Sequence, residues 1–86
     1  MYKLLIAEDE PIEREALKLM ISNNCTNISD IEDAENGFAA IEKCKSFCPD
    51  IVIMDINMPG LNGLDTIKAL QRQNENIKFL LLSGHN

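Results

Sequence analysis

Four short apolar runs alternate with longer stretches of mixed polarity along the chain. The runs are rich in aliphatic and β-branched residues, which is typical of strands, and they occupy residues 4–7, 28–34, 50–55 and 77–82. The third run is apolar without interruption from Ile51 to Met54, which suits a strand buried on both faces. The second run is acidic and only partly apolar, so we expect it at a solvent-facing edge of a sheet.

The stretches between the runs repeat apolar residues at helical spacing. Pro11 fits the first turn of the first helix, and the pattern fades at Asn23 and Asn24. In that helix, the apolar stripe of the kind that packs on a core consists of Ile12, Ala16, Leu19 and Met20. The second and third stripes are formed by Phe38, Ile41, Cys44 and Cys48, before Pro49, and by Leu64, Ile67 and Leu70, up to about Arg72. The order βαβαβαβ predicts an α/β protein with a parallel sheet and right-handed crossovers.

The composition of the 86 residues limits the classes of function. This length fits one small domain, and 45% hydrophobic with 26% charged residues is ordinary for a soluble fold. The net charge of −6 argues against binding of nucleic acid through this chain, since phosphate contacts need clustered Lys and Arg. No apolar stretch approaches the ~20 residues of a membrane span, and no signal peptide pattern opens the chain. We therefore expect no membrane partner and a cytoplasmic location. The three cysteines agree with this location, because they are odd in number, contain no CxxC pair and do not suggest a disulfide framework.

Carboxylates follow the first and third strand runs. Glu8 and Asp9 come after the first run, and Asp55 ends the third, just before a turn that contains Pro59 and Gly60. Because ligands bind at the carboxyl edge of open α/β sheets, these acids predict one acidic pocket there. Oxygen-only ligands indicate a hard cation, for which Mg²⁺ fits best, and the backbone carbonyl of Asn57 could supply a further ligand.

A carboxylate beside such a cation is suited to phosphoryl chemistry. Asp55 could take a phosphoryl group as an acyl phosphate, and Ser83, just past the fourth run, would face the same edge and hold a phosphoryl oxygen. Each residue also has a purely structural interpretation, because acids after a strand often cap the next helix and a Pro-Gly pair often forms a plain turn. Acids at two strand ends and a hydroxyl at a third favour a functional site.

Four blocks of sequence resemble the receiver domain of two-component response regulators. They are residues 5–11, 34–37, 49–63 and 82–84, in the order and spacing of that family. The resemblance implies a flavodoxin-like, doubly wound parallel sheet with strand order 2-1-3-4, and a phosphoacceptor domain rather than an enzyme. It implies that Asp55 accepts a phosphoryl group from a sensor histidine kinase and that Ser83 is the switch hydroxyl. The implied Mg²⁺ ligands are Glu8, Asp9, Asp55 and the Asn57 carbonyl.

The first and third blocks are most similar to regulators with an AraC-type output domain, which implies control of transcription and DNA binding outside this chain. Receiver domains continue with a fourth helix, a fifth strand ending in Lys, and a fifth helix. Residues 1–86 are therefore expected to be the N-terminal part of a receiver domain, with an incomplete sheet.

Two alternatives remain open at this point. Because the fourth strand would be an uncovered apolar edge, we expect this chain to self-associate, as a dimer or by exchange of elements between chains. Without the Lys, the chain could also be a fragment that takes no phosphoryl group and acts only as a binding or self-association module. A nucleotide binder of the flavodoxin type is disfavoured, because residues 8–10 are all acidic and no Gly-rich phosphate loop follows the first strand.

Overall fold

Seven elements alternate along the chain in the computed structural model, which describes residues 1–58 and 60–82. They are β1 (Tyr2–Ala7), α1 (Pro11–Asn24), β2 (Ile28–Ala34), α2 (Gly37–Phe47), β3 (Ile51–Asp55), α3 (Gly63–Gln73) and β4 (Lys78–Leu82). The four strands are parallel and lie in the order β2-β1-β3-β4. The predicted flavodoxin-like α/β fold and its strand order are confirmed, with the acidic β2 at an edge. No helix in the described part of the chain is long and apolar enough to span a bilayer.

Local signals fix where the helices begin. Pro11 opens α1 directly after Glu10. The side chain of Asn36 caps α2 by accepting the Ala39 N–H at 2.7 Å, and Asn62 caps α3 by accepting the Asp65 N–H at 2.9 Å. Side-chain caps of this kind typically stabilise a helix by about 1 kcal/mol. Residues 8–10 and 35–36 connect β1 to α1 and β2 to α2, and the longer connection of residues 56–62 leads from β3 to α3, all at the carboxyl edge of the sheet.

The two central strands are buried on both faces, because alternate residues point to opposite sides of a sheet. On one face the packed residues are Leu5, Ala7, Val52 and Met54, against Ala40, Cys44 and Leu70 of α2 and α3. On the other face they are Leu4, Ile6 and Ile53, against Leu17 and Ile21 of α1. The strands β1 and β3 therefore lie in the middle of three packed layers, with α2 and α3 on one face of the sheet and α1 on the other.

The apolar stripe predicted for α1 is wrong. Ile12, Leu19 and Met20 are 83%, 62% and 55% exposed, and Ala16 is exposed as well. The helix instead packs through Leu17 and Ile21, while the side chains on the same face at Arg14 and Lys18 reach Asp33 on β2. Residues 14, 17, 18 and 21 also follow helical spacing, and long basic side chains can cover apolar surface while their charged ends pair. Counting only apolar residues therefore selected the wrong face.

The stripes of α2 and α3 are only partly correct. Ile41, Cys44, Ile67 and Leu70 pack against the sheet as predicted. By contrast, Phe38 is 60% exposed and Leu64 is 59% exposed, and both lie in the first turn of their helices. Cys48 lies beyond the end of α2, in a left-handed conformation with φ of 52°, where its N–H donates to the Cys44 carbonyl.

The amino end of β3 is fastened to both neighbouring strands through Asp50. Its N–H donates to the Lys3 carbonyl at 2.8 Å, and its own carbonyl accepts the Lys78 N–H at 3.0 Å. The Asp50 carboxylate also accepts the Lys3 N–H at 2.8 Å. An exposed aspartate thus completes the hydrogen bonding of three strands at this edge.

Candidate functional site

Three carboxylates meet at the opposite, carboxyl edge of the sheet. Ala7, the last residue of β1, is paired with Met54 of β3, so that Glu8 and Asp55 follow side by side in parallel strands. One carboxylate oxygen from each of Glu8, Asp9 and Asp55 lies within 4.8 Å of the others. The structure therefore brings together the three acids that the sequence singled out, although 47 residues separate the first from the last.

The cluster is buried and strongly negative. Glu8 is 2% exposed and Asp55 is 3% exposed, while Asp9 is half-buried. Burial raises the pKa of Glu8 above its ordinary value; the Glu10 N–H, at 3.1 Å from its carboxylate, opposes this rise, and contact with Asp9 and the charge of Asp55 add to it. Among the described residues, no ion pair involves any of the three carboxylates.

The donor set fits a divalent cation with a preference for oxygen. Like charges 4.8 Å apart repel by about 3 kcal/mol at an effective dielectric constant of 20, which a bound cation would reverse. Carboxylates with space for water and phosphate oxygens are the usual environment of Mg²⁺ in proteins. The cluster contains no Cys or His, which are the ligands typical of zinc.

Hydrogen bonds hold the backbone of the segment that follows β3. Asp55 Oδ1 accepts the Asn57 N–H at 3.0 Å, which folds the backbone back over the carboxylate. The Ile56 N–H donates to the carbonyl of Leu82 on β4, and the Ile56 carbonyl accepts the Gly63 N–H at 3.1 Å. Asn57 is exposed two residues from Asp55, and the role of its carbonyl as a metal ligand stays a prediction.

Two glycines allow the helices to approach this segment closely. A Cβ at Gly63 would lie 2.8 Å from the Ile56 Cα, and a Cβ at Gly37 would collide with Thr66 Oγ1 and lie 2.9 Å from the Leu61 carbonyl oxygen. Both distances are too short for a real side chain. The segment that follows Asp55 is therefore held between the beginnings of α2 and α3.

Ser83, the predicted switch hydroxyl, lies outside the described residues. The strand before it ends at Leu82, which is paired with Asp55. Arg14 is a residue that the sequence interpretation missed: its guanidinium donates to the Glu8 carbonyl at 2.8 Å. The available signal was its position, one helical turn after the acids and on the same face as Leu17 and Ile21.

Comparisons with known proteins show the family of the chain. The family model of the response regulator receiver domain matches residues 4–86. The uncharacterized transcriptional regulatory protein YesN of Bacillus subtilis is 39% identical over 84 residues, which make up 98% of this chain and 23% of YesN. The chain thus spans about a quarter of the length of that curated relative.

Solved structures show the same fold. The response regulator protein TrrA from Thermotoga maritima, in complex with Mg(2+)-BeF, has a TM-score of 0.84 at 36% identity and covers 94% of this chain and 68% of that one. A two component transcriptional regulator AraC from Clostridium phytofermentans has a TM-score of 0.90 at 22% identity, over 100% of this chain and 69% of that one. The second likeness, at its low identity, shows a shared fold alone.

Proposed function

The chain belongs to the response regulator receiver domain family, and we propose from this that it is a phosphorylation-dependent signalling module of a two-component system. In this proposal residues 1–86 are the N-terminal part of the receiver domain, and the phosphoryl group comes from a sensor histidine kinase in the cytoplasm. The observation that supports it most is the buried cluster of Glu8, Asp9 and Asp55, because an uncompensated group of acids calls for a cation.

Asp55 is the phosphoacceptor in this scheme. An oxygen of its ionised carboxylate attacks phosphorus, a carboxylate–phosphorus bond forms, and the phosphorus–nitrogen bond to the kinase histidine breaks. Glu8, Asp9, Asp55 and the Asn57 carbonyl would hold Mg²⁺, which neutralises phosphoryl oxygens when it is bound. The Asn57 N–H, at 3.0 Å from Asp55 Oδ1, fixes the orientation of the carboxylate.

Three further assignments complete the proposal. Ser83 is the hydroxyl that turns toward the phosphoryl group and reports its presence, and the chain performs no chemistry beyond its own phosphorylation and dephosphorylation. The output is control of transcription through a DNA-binding domain outside this chain, of the AraC type. The printed description of YesN as a transcriptional regulatory protein supports such an output.

The proposal is tested by intact-mass spectrometry after incubation with a small-molecule acyl phosphate. We expect one phosphoryl adduct per chain with Mg²⁺, and none when the metal is removed by a chelator, because three clustered acids repel a phosphate unless a cation intervenes. Peptide mapping should place the adduct on Asp55. A folded sample that takes up no phosphoryl group in the presence of Mg²⁺ would contradict the proposal.

Self-association through β4 is a second candidate function. In the described sheet β4 lies at an edge, and Leu80 and Leu81 on this strand are 56% and 40% exposed. Beside Leu80, a shallow cavity of about 480 Å³ is lined by Tyr2, Ile51 and Phe79 among others. An exposed apolar edge strand can pair with a second copy of itself.

Sedimentation equilibrium of the wild-type chain and of Leu80→Lys tests this second function. We expect the wild-type chain to dimerise as its concentration is raised and Leu80→Lys to remain monomeric, since a charge at an edge strand opposes pairing. Leu19→Lys is the matched control, because Leu19 is 62% exposed but lies on α1. A wild-type chain that stays monomeric at high concentration would eliminate this function.

A further inference from the structure

Arg14 on α1 joins the acidic segment to the end of β2. Its Nη1 donates to the main-chain carbonyl of Glu8 at 2.8 Å, and its Nε lies 3.5 Å from Asp33 Oδ2. The Arg14 side chain is 17% exposed, so both contacts are made in a largely desolvated place. The N–H of Glu8 is also engaged, because it donates to the Ala34 carbonyl at 3.0 Å.

We propose that Arg14 is a positioning residue for the acidic pocket: by bridging the Glu8 carbonyl and the Asp33 carboxylate, it sets where the Glu8 and Asp9 carboxylates lie for a divalent cation. This inference rests on the proposed function. A planar guanidinium can donate from two of its edges at once, which suits it to tie a carbonyl to a carboxylate. Residue 8 is thereby held from both sides, by β2 through its N–H and by α1 through its carbonyl.

The charge of Arg14 pairs with Asp33 but does not by itself favour metal binding at the acidic pocket. A cation beside a metal site repels the metal, so that electrostatics alone would make removal of Arg14 strengthen Mg²⁺ binding. The positioning role predicts the opposite sign. Lys18 separates the two effects, because it pairs with the same Asp33 at 3.2 Å without a described contact to the acidic segment.

Calorimetric titration of the full chain with Mg²⁺ alone compares Arg14→Gln with Lys18→Gln. Each variant loses one positive charge and one ion pair to Asp33. We expect Arg14→Gln to weaken Mg²⁺ binding about tenfold, the loss typical of residues that orient metal ligands. Lys18→Gln should leave the Kd unchanged or slightly lower. If Arg14→Gln binds Mg²⁺ as tightly as Lys18→Gln or more tightly, the inference is overturned.

A second readout needs no metal. The Glu10 N–H donates to Glu8 Oε2 at 3.1 Å, so its hydrogen exchange reports whether the segment keeps its shape. We expect faster exchange at Glu10 in Arg14→Gln than in Lys18→Gln, and unchanged exchange overturns the inference. If the wild-type chain binds no Mg²⁺, the proposed metal site fails while this comparison still decides the role of Arg14.

A charge-conserving variant covers the case in which Arg14→Gln does not fold. Arg14→Lys keeps the net charge but replaces the planar donor group with a single ammonium. We expect its Mg²⁺ affinity to fall below that of the wild-type chain, with exchange at Glu10 faster as well. Wild-type affinity and wild-type exchange in Arg14→Lys would show that the guanidinium does not position the pocket.

Discussion

Asp55→Asn is expected to abolish the Mg²⁺-dependent uptake of a phosphoryl group and, without metal, to raise the free energy of unfolding. The amide is not a nucleophile, yet its oxygen can still accept the Asn57 N–H that Asp55 Oδ1 accepts at 3.0 Å. Removing one of three charges that lie within 4.8 Å of one another should stabilise the metal-free fold by about 1–3 kcal/mol. Intact-mass spectrometry and urea unfolding measure the two effects on the same samples.

Asp50→Asn is the matched control for that substitution, since Asp50 directly precedes the strand that ends at Asp55. Asp50 is exposed, and its carboxylate accepts the Lys3 N–H at the opposite edge of the sheet. We expect Asp50→Asn to retain the adduct and to gain no stability. Loss of the adduct in both variants, or a loss of stability in Asp55→Asn, would contradict the proposal that charge repulsion and phosphoryl transfer are both located at Asp55.

Mg²⁺ is expected to stabilise the chain strongly, and this effect should fade in acid. A ligand at one hundred times its Kd adds about 2.7 kcal/mol to the free energy of unfolding. For a domain of this size that corresponds to a rise in Tm of about 10–20 °C. Thermal unfolding followed by circular dichroism, with and without Mg²⁺ over a series of pH values, measures the increment.

The direction of the pH dependence follows from Glu8, whose pKa burial raises above that of the unfolded chain. The folded state therefore holds the Glu8 proton more tightly than the unfolded state does. Above the folded pKa the ionised group costs stability in the metal-free chain, and this cost disappears as the pH falls through the folded pKa toward the unfolded value. Over the same pH range the proton competes with Mg²⁺ for the Glu8 carboxylate, so the stabilisation of the chain by Mg²⁺ becomes smaller.

Glu8→Gln should remove both the stabilisation by Mg²⁺ and the pH dependence of stability that comes from Glu8. The glutamine side chain cannot ionise, while its oxygen can still accept the Glu10 N–H. Glu42→Gln, at an exposed position on α2, is the control and should keep the wild-type behaviour. If the rise in Tm caused by Mg²⁺ is the same at every pH, or if it persists in Glu8→Gln, Glu8 is not a ligand of the metal.

Much of the fold could be predicted because the relevant signals are local. The unbroken apolar run at residues 51–54, the proline at residue 11 and the caps at Asn36 and Asn62 act within a few residues of their own positions. The acidic pocket was predictable for a different reason. In a parallel sheet every strand ends at the same edge, so that acids after β1 and after β3 meet once those strands are neighbours.

The orientation of α1 was not predictable from its apolar residues alone. Which face turns inward depends on Asp33, a residue of β2 that binds both Arg14 and Lys18. Residues 14, 17, 18 and 21 do follow helical spacing, but the partner that distinguishes this face from the more apolar one lies on another element. The role of Arg14 beside Glu8 was missed for the same reason, because it requires the helix to be rotated as the ion pairs set it.

The two ends of β3 use the same amino acid in opposite ways. At Asp50 the carboxylate and both main-chain groups are matched with partners on β1 and β4, whereas Asp55 stands among carboxylates that repel it. A hydrogen-bonded aspartate and a group of mutually repelling acids therefore lie at opposite edges of one sheet, although Asp50 and Asp55 are only five positions apart. Substitutions that stabilise the amino edge of the sheet can therefore leave the acidic cluster unchanged. Substitutions in the acidic cluster can likewise leave intact the hydrogen bonds by which Asp50 links β3 to β1 and β4.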